Sequence, residues 1–458
     1  MRDIVHITPG RPDAPQGHVR FYNRSEGKLP AGYFSAKYLE TRVIGVADSV
    51  TLNVGMGEDA PGPAEAKELL AKASSEMKKL CITRFDVQLS GNIPPEEAVE
   101  GLLLGLYDYS LLEREQKTYE IGLDGAVTQE QIDRASAVAE GTLFARDLVN
   151  TPANLLHPED MAAEVTAKLS RVGVQCETIH LEQLREMGMN GLRLIGESSA
   201  NPPCLLVMRW LPMGNGTAPT GLVGKGVTFD SGGYCLKPGD SMTGSKGDMA
   251  GAAAVAGAIY ALAKNKVQAN VVGVTPLCEN RISDASLLPG DVYTSYSGKK
   301  VEVLNVDAEG RLILSDAVAY AIGDEKVDKV LDIATLTGAA VRALGFGVAP
   351  VVGNSDSLWE EFTAAFAKTG ERYWRMPTYP EYRRMLDSDI ADIKNLGKPE
   401  AGCITGGLFI GDFVGDTPWL HLDIAGTAWV DPPLFAFQCR GATGAGVTTL
   451  YRFCAEKK

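Results

Sequence analysis

From Cys204 to Ile424 short apolar runs alternate with helical stretches, and that alternation limits the fold more than any other feature of the chain. The runs Cys204 to Trp210, Gly221 to Val223, Ala269 to Val274, Lys300 to Leu304, Val330 to Ala334 and Trp419 to Ile424 read as strands. Helical patterns occupy Pro158 to Leu169, Met249 to Ala263 and Leu312 to Ile322. Strands this apolar need cover on both faces, so the chain predicts an α/β fold with a largely parallel or mixed sheet flanked by helices. In such sheets ligands gather at the carboxyl ends of the strands.

Upstream, a helical pattern from Gln129 to about Val149 runs through Ile132, Ala135, Val138, Leu143 and Leu148, then stops at Thr151-Pro152. We place the domain junction here. The expected division is a smaller N-terminal α/β domain over 1–127, a linking helix over 128–150 and a larger domain over 151–458, in keeping with a 458-residue chain. The N-terminal part holds no cluster of potential ligands.

A formal charge of −14 argues against a broad nucleic-acid footprint. The eight cysteines form no C-x-x-C pair and sit mostly in apolar runs, as reduced core residues do, so a cytoplasmic location is expected. No apolar h-region follows Arg2 to Ile4, and the alanine-rich window Met249 to Ala263 is too short to span a bilayer; no membrane partner is expected.

The residues that carry chemistry fall in two clusters. In Asn305-Val306-Asp307-Ala308-Glu309-Gly310-Arg311-Leu312, two carboxylates two residues apart close the strand run Lys300 to Leu304. Side chains at i and i+2 of a strand leave one face, so Asp307 and Glu309 are expected to converge there. Gly310 would let the chain turn into a helix, with Arg311 near its start, where backbone N–H groups gather around anions. By itself, such an acidic strand end also fits a solvated loop or a helix cap.

The second cluster runs from Gly224-Lys225-Gly226 through Asp230-Ser231-Gly232-Gly233 and Lys237 to Asp248. It is not a P-loop, because Pro219 stands where the leading Gly is needed and Gly226 where Ser or Thr would hold magnesium. Asp230, Asp248, Asp307 and Glu309 together carry four negative charges, which balances two divalent cations. Oxygen-dominated ligation suits manganese, magnesium, cobalt or zinc. The five histidines are scattered and form no H-E-x-x-H.

With these clusters, the segments Pro276-Leu277-Cys278-Glu279-Asn280, Ala334-Thr335-Leu336-Thr337-Gly338-Ala339 and His421-Leu422-Asp423-Ile424-Ala425-Gly426 make the chain resemble the leucyl aminopeptidase (cytosol aminopeptidase) family of two-metal exopeptidases, from about Arg146 to the C-terminus. The resemblance implies two divalent ions per subunit, manganese or zinc with cobalt or magnesium as alternatives. It makes Lys225, Asp230, Asp248, Asp307 and Glu309 their ligands, with Asp230 and Glu309 bridging. It also implies Lys237 as a catalytic lysine that polarises the scissile carbonyl, and Arg311 as the holder of a bicarbonate proton relay. The substrate residues it implies are Met242, Ser245, Thr335, Leu336 and Gly338, acting on short peptides in a cytoplasmic homohexamer.

Two departures from the family pattern stand out. Val306 replaces the usual Thr of the signature, with little expected consequence. Ser245 replaces a pocket Met, which puts strict leucine preference in doubt. Two rival readings remain: a dinuclear phosphoesterase, against which Lys225 speaks, and a catalytically weak hexameric scaffold with a DNA-binding or regulatory role, which the net charge disfavours.

Overall fold

The computed structural model describes residues 2–24, 33–46, 49–58, 60–89, 93–112, 115–214 and 216–456. The chain forms two compact units. The first comprises residues 1–143 with the short later segments 368–370 and 431–440, and the second comprises 144–367, 371–430 and 441–458.

In the first unit the described strands form a six-stranded sheet. Its order is Ile4–Pro9, Thr118–Asp124, Arg84–Gln88, Gly17–Asn23, Ser49–Gly57, Thr41–Val46, and all neighbours are parallel except the last pair. The helices Pro63–Lys79 and Pro95–Leu106 each begin with proline, whose missing N–H is harmless in a first turn. They bury Leu69, Leu70, Met77, Val99 and Leu102 against Val19, Phe85, Val87 and Ile121 of the sheet.

The second unit is built on a nine-stranded mixed sheet, as the alternation of runs predicted. Its order is Tyr373–Arg375, Ala349–Gly353, Trp419–Asp423, Lys329–Ala334, Thr220–Gly224, Val271–Asn280, Cys204–Trp210, Gln175–His180, with Gly226–Asp230 pairing in parallel onto the far end of Val271–Asn280. The central strands Thr220–Gly224 and Val271–Asn280 are buried at every position, which accounts for their unbroken apolar character. The alanine-rich helix Ala250–Lys264 is buried from Ala250 to Ala263 and packs on the strands Thr220–Gly224, Val271–Asn280 and Lys329–Ala334; its small side chains allow that approach. Among the described residues no helix is long and apolar enough to cross a membrane.

Around the signature the structure corrects the expected geometry. The strand predicted over Lys300 to Leu304 ends at Glu302, in a separate three-stranded sheet with Val292–Thr294 and Ile393–Lys394. The helix predicted from Leu312 starts at Glu309. The cause is Asn395, whose side-chain oxygen accepts the backbone N–H groups of Leu304 (2.8 Å) and Asn305 (3.3 Å), and so takes the chain out of the sheet. Asp307 therefore lies in a turn, its N–H donated to the Asn305 side chain at 2.7 Å, and strand alternation does not aim it at Glu309.

The helix Glu309–Gly323 is anchored by Asp316. This fully buried carboxylate accepts the backbone N–H groups of Gly191 (2.7 Å), Leu192 (3.2 Å) and Tyr296 (2.8 Å), tying the helix Asn190–Gly196 to the one that starts the site. Asp316→Ala would leave three backbone donors unpaired in the interior. It is expected to lower stability by about 3 kcal/mol or more, since each unpaired buried donor costs about 1–3 kcal/mol. Urea denaturation measures this, and a loss under about 0.5 kcal/mol, the range of ordinary surface changes, would contradict the anchoring role.

Candidate active site

Four carboxylates and two ammonium groups meet at the carboxyl ends of the central strands. Lys225 lies between the strands Thr220–Gly224 and Gly226–Asp230, and Asp230 closes the second of these. The chain then loops through Lys237 to Asp248, just before the helix Ala250–Lys264. Asp307 and Glu309 arrive from the turn and from the first helical residue described above. One oxygen each from Asp230, Asp307 and Glu309 lies within 4.8 Å of the others.

The two lysines divide the acids between them. Lys225, fully buried, has its Nζ 2.8 Å from Asp248 Oδ2 and 2.8 Å from Glu309 Oε1, and it donates to the Thr335 carbonyl at 3.0 Å. Lys237 sits against Asp307 and 2.6 Å from Asp230 Oδ2. Burial opposes the charge on each lysine, but the carboxylates outweigh it and hold both above the ordinary lysine range. If all four acids ionise, two negative charges remain uncompensated.

The acids show that imbalance. Burial first, and then the neighbouring Asp230, pushes Glu309 up to about 8 against the opposing pull of Lys225. Burial likewise raises Asp248 to about 6, and raises Asp307. Both oxygens of Glu309 and Oδ2 of Asp248 are buried with no aligned hydrogen-bond donor among the described residues, and Lys225 approaches them as a charge contact. Carboxylate oxygens that are buried, convergent and short of donors fit divalent cations. The donor set is therefore right for the metal that the sequence implies.

Glycine has a different role here from the one expected. Gly310 has no positive φ and does not make the turn; it is the second residue of the helix. A Cβ at this position would stand 2.6 Å from Lys225 Cε and 2.7 Å from its Nζ, so any larger residue would push the end of the Lys225 side chain aside. Gly232 fits the usual argument, with φ +85° and a Cβ position 2.9 Å from Asp307 Oδ1.

Arg311 is buried and donates through Nη1 to the Asn395 carbonyl at 2.8 Å, while its Nε has no partner among the described residues. Burial lowers its pKa to about 10, so it stays charged near neutral pH, with a donor available to an anion. The Thr335 hydroxyl donates to Asp248 Oδ1 at 2.7 Å and so helps to hold that candidate ligand. Leu336 is half-buried and its N–H donates to Asp423 at 3.1 Å, whereas Gly338 is exposed at the start of the helix Gly338–Leu344. Met242 is half-buried on the loop, and Ser245 is buried with its hydroxyl 3.4 Å from the Ser241 carbonyl. Val306 points into the core, as its expected neutrality requires.

Three supporting residues escaped the reading of the sequence. The Asn280 side-chain amide donates to Asp230 Oδ1 (2.8 Å) and to the Val306 carbonyl (3.0 Å), joining the two clusters. Asp423 accepts from the Leu336 and Thr337 N–H groups and from the Thr337 hydroxyl at 2.6 Å, shaping the loop that bears Thr335. Asn280 and Asp423 both lie in motif segments already noted. Asn395 lies in none, and nothing in its surroundings of the sequence marks it.

A family model described as the cytosol aminopeptidase family, catalytic domain, matches residues 143–451. The chain belongs to this family. A probable cytosol aminopeptidase of Clostridium perfringens is 43% identical over 424 residues, 88% of this chain and 86% of that protein. One of Solibacter usitatus is 38% identical over 471 residues, 99% and 96% of the two chains. Among solved structures, the bottromycin maturation enzyme BotP in complex with Mn superposes with a TM-score of 0.89 at 33% identity, covering 96% of this chain and 99% of that one. Family membership makes the chain an aminopeptidase of a metal-dependent family, a hydrolase acting on peptides, with a buried acidic cluster able to bind metal.

Two outcomes follow from the geometry. Gly310→Ala should displace Lys225 and weaken divalent-metal affinity at least about tenfold, as disturbing the groups around a metal site does; equilibrium dialysis with unchanged affinity would remove Lys225 from the ligand set. Because Glu309 and Lys225 hold protons that a metal must displace, binding at pH 7 should release protons, and affinity should climb as pH rises from about 6 through 8. Calorimetry in buffers of different ionisation enthalpy reads the proton count, and a pH-independent affinity would contradict this.

Proposed function

We propose that the chain removes the N-terminal residue of short peptides at a dinuclear centre held by Lys225, Asp230, Asp248, Asp307 and Glu309. The observation that carries this reading is the convergence of buried carboxylate oxygens without hydrogen-bond donors around Lys225. Divalent ions bound there would supply Lewis acidity and lower the pKa of a bound water. The relative solved with Mn favours manganese as the first ion to supply, with zinc next and cobalt or magnesium further options.

The chain's own residues divide the remaining work. Lys237 keeps its charge and lies against Asp230 and Asp307, so its ammonium can donate to the oxygen of a peptide carbonyl as negative charge develops on it. Arg311, with Nε unpaired, would hold bicarbonate, the proton acceptor that the family resemblance implies. Thr335 fixes Asp248, and Asn280 fixes Asp230, so the ligand oxygens stay aimed without substrate. A free α-amine can join such a centre and an internal peptide nitrogen cannot, which accounts for exopeptidase action. Met242, Ser245, Thr335, Leu336 and Gly338 remain the proposed substrate contacts, with leucine preference relaxed by Ser245. A homohexamer in the cytoplasm completes the proposal, and the −14 charge leaves nucleic acid no evident place in it.

The test is a panel of aminoacyl p-nitroanilides, assayed on protein stripped by chelator and resupplied with manganese or zinc. Activity should vanish on stripping and return with metal. Lys237→Ala should lower kcat by about 10²–10³-fold, the usual effect of removing one oxyanion donor, while keeping bound metal. Wild-type turnover in that variant would sink the assigned role.

A further inference from the structure

The loop that bears the ligands has a second surface. In the strand Gly226–Asp230 and its parallel neighbour Val271–Asn280, Phe229 stands opposite Glu279 and Asp230 opposite Asn280. Successive strand side chains leave opposite faces. Asp230 and Asn280 meet on the side of the candidate metal centre, at 2.8 Å. Phe229, Glu279 and Arg281 belong to the other side, where the Arg281 guanidinium lies 4.6 Å from the centre of the Phe229 ring.

On that side lies an open depression of about 550 Å³, whose walls include Asn154, Phe229, Met242, Thr243, Lys246 and Arg281. Arg281 is rigidly mounted. The fully buried Glu279 carboxylate accepts its Nε at 3.0 Å, together with the Ser199 hydroxyl at 2.6 Å and the Asn201 amide at 3.2 Å, and lies 3.1 Å from His157 Nδ1. The two terminal amino groups of Arg281 have no hydrogen-bond partner among the described residues. Lys246 is the second cation. Its Nζ donates to the Asn150 carbonyl at 2.5 Å and sits 5.7 Å from the centre of the Trp429 ring, and no described carboxylate pairs with it.

Among the described residues no acidic side chain lines the depression. Arg281 is paired from behind by Glu279 and turns its terminal amino groups outward, Lys246 has no described carboxylate partner, and with a hydroxyl and an amide beside them the two make a receptor for negative charge in a chain of net charge −14. The guanidinium fork suits paired oxygens, and the ammonium supplies a point charge. The volume falls in the range of roughly 300–1,000 Å³ typical of small-molecule sites. We propose that this depression, which shares only Met242 with the proposed substrate contacts, is a second binding site for a small dianion, a phosphate-like oxyanion or a dicarboxylate, bound between Arg281 and Lys246. Its occupant would brace the segment from Gly239 to Lys246, which lies between Lys237 and Asp248.

The test titrates metal-loaded full-length protein by calorimetry with sulfate as the tetrahedral probe and with succinate as the dicarboxylate, each against sodium chloride of equal ionic strength. One binding event per chain is expected with at least one probe, and which probe binds tells the two chemistries apart. The event should persist in Arg311→Ala, which separates it from the anion expected beside Arg311, and should weaken at least tenfold in Arg281→Met with Lys246→Met. If the double variant does not fold, Lys246→Gln alone must weaken it at least threefold. No event with either probe, an event lost in Arg311→Ala, or an affinity unchanged in the variants of the depression would each overturn the proposal.

Discussion

Everything around the site answers to one electrostatic constraint, the gathering of four carboxylates, with Asp230 and Glu309 buried and Asp248 and Asp307 partly so, around two lysines. Taking a charge out of water carries a penalty of several kcal/mol per ion even after relaxation, and two ammonium groups cannot balance four acids. The surplus appears as raised carboxyl pKa values at Glu309 and Asp248, and as carboxylate oxygens without donors. A fold selected for stability alone would put apolar side chains here. This arrangement makes physical sense when divalent cations complete it.

Such a cluster is only as good as the groups that keep it from collapsing. Asp230 is held by Asn280, Asp248 by Thr335, and the Thr335 loop by Asp423. Asp423 closes the strand Trp419–Asp423, and that strand is pinned to its neighbour by Asp332, which accepts from Trp419 Nε1 and lies 2.6 Å from His421 Nδ1 in the fully buried interior. Polar ties between parallel strands thus run from the middle of the sheet to the candidate ligands. The helix Glu309–Gly323 is fixed by Asp316 at its middle and carries Glu309 and Arg311 at its start.

The sheet and its helices were legible because burial on both faces imposes unbroken apolar runs, and their ends in the structure fall within a residue or two of the runs at Cys204, Val330 and Trp419. The candidate site residues stood out because four acids and two lysines cluster in two segments, and because those segments carry the family resemblance. How they converge was not legible. Alternation along a strand put Asp307 and Glu309 on one face, but the real chain turns before either residue, because Asn395, some ninety positions away, takes the N–H groups that would have continued the ladder. Local pattern carries no information about such a distant partner. Gly310 likewise looked like a turn residue, when what demands it is the passage of Lys225 from another strand.

Ser245 illustrates the same limit for specificity. A serine in place of a pocket methionine suggests a larger and more polar wall. In the fold its side chain is buried, and its hydroxyl is turned back toward the Ser241 carbonyl one helical turn earlier. At 3.4 Å that contact is long for a hydroxyl bond, so it engages the group only weakly. If Ser245 lines the proposed pocket, the exchange of a long thioether for a short side chain enlarges the wall, and the hydroxyl keeps it polar.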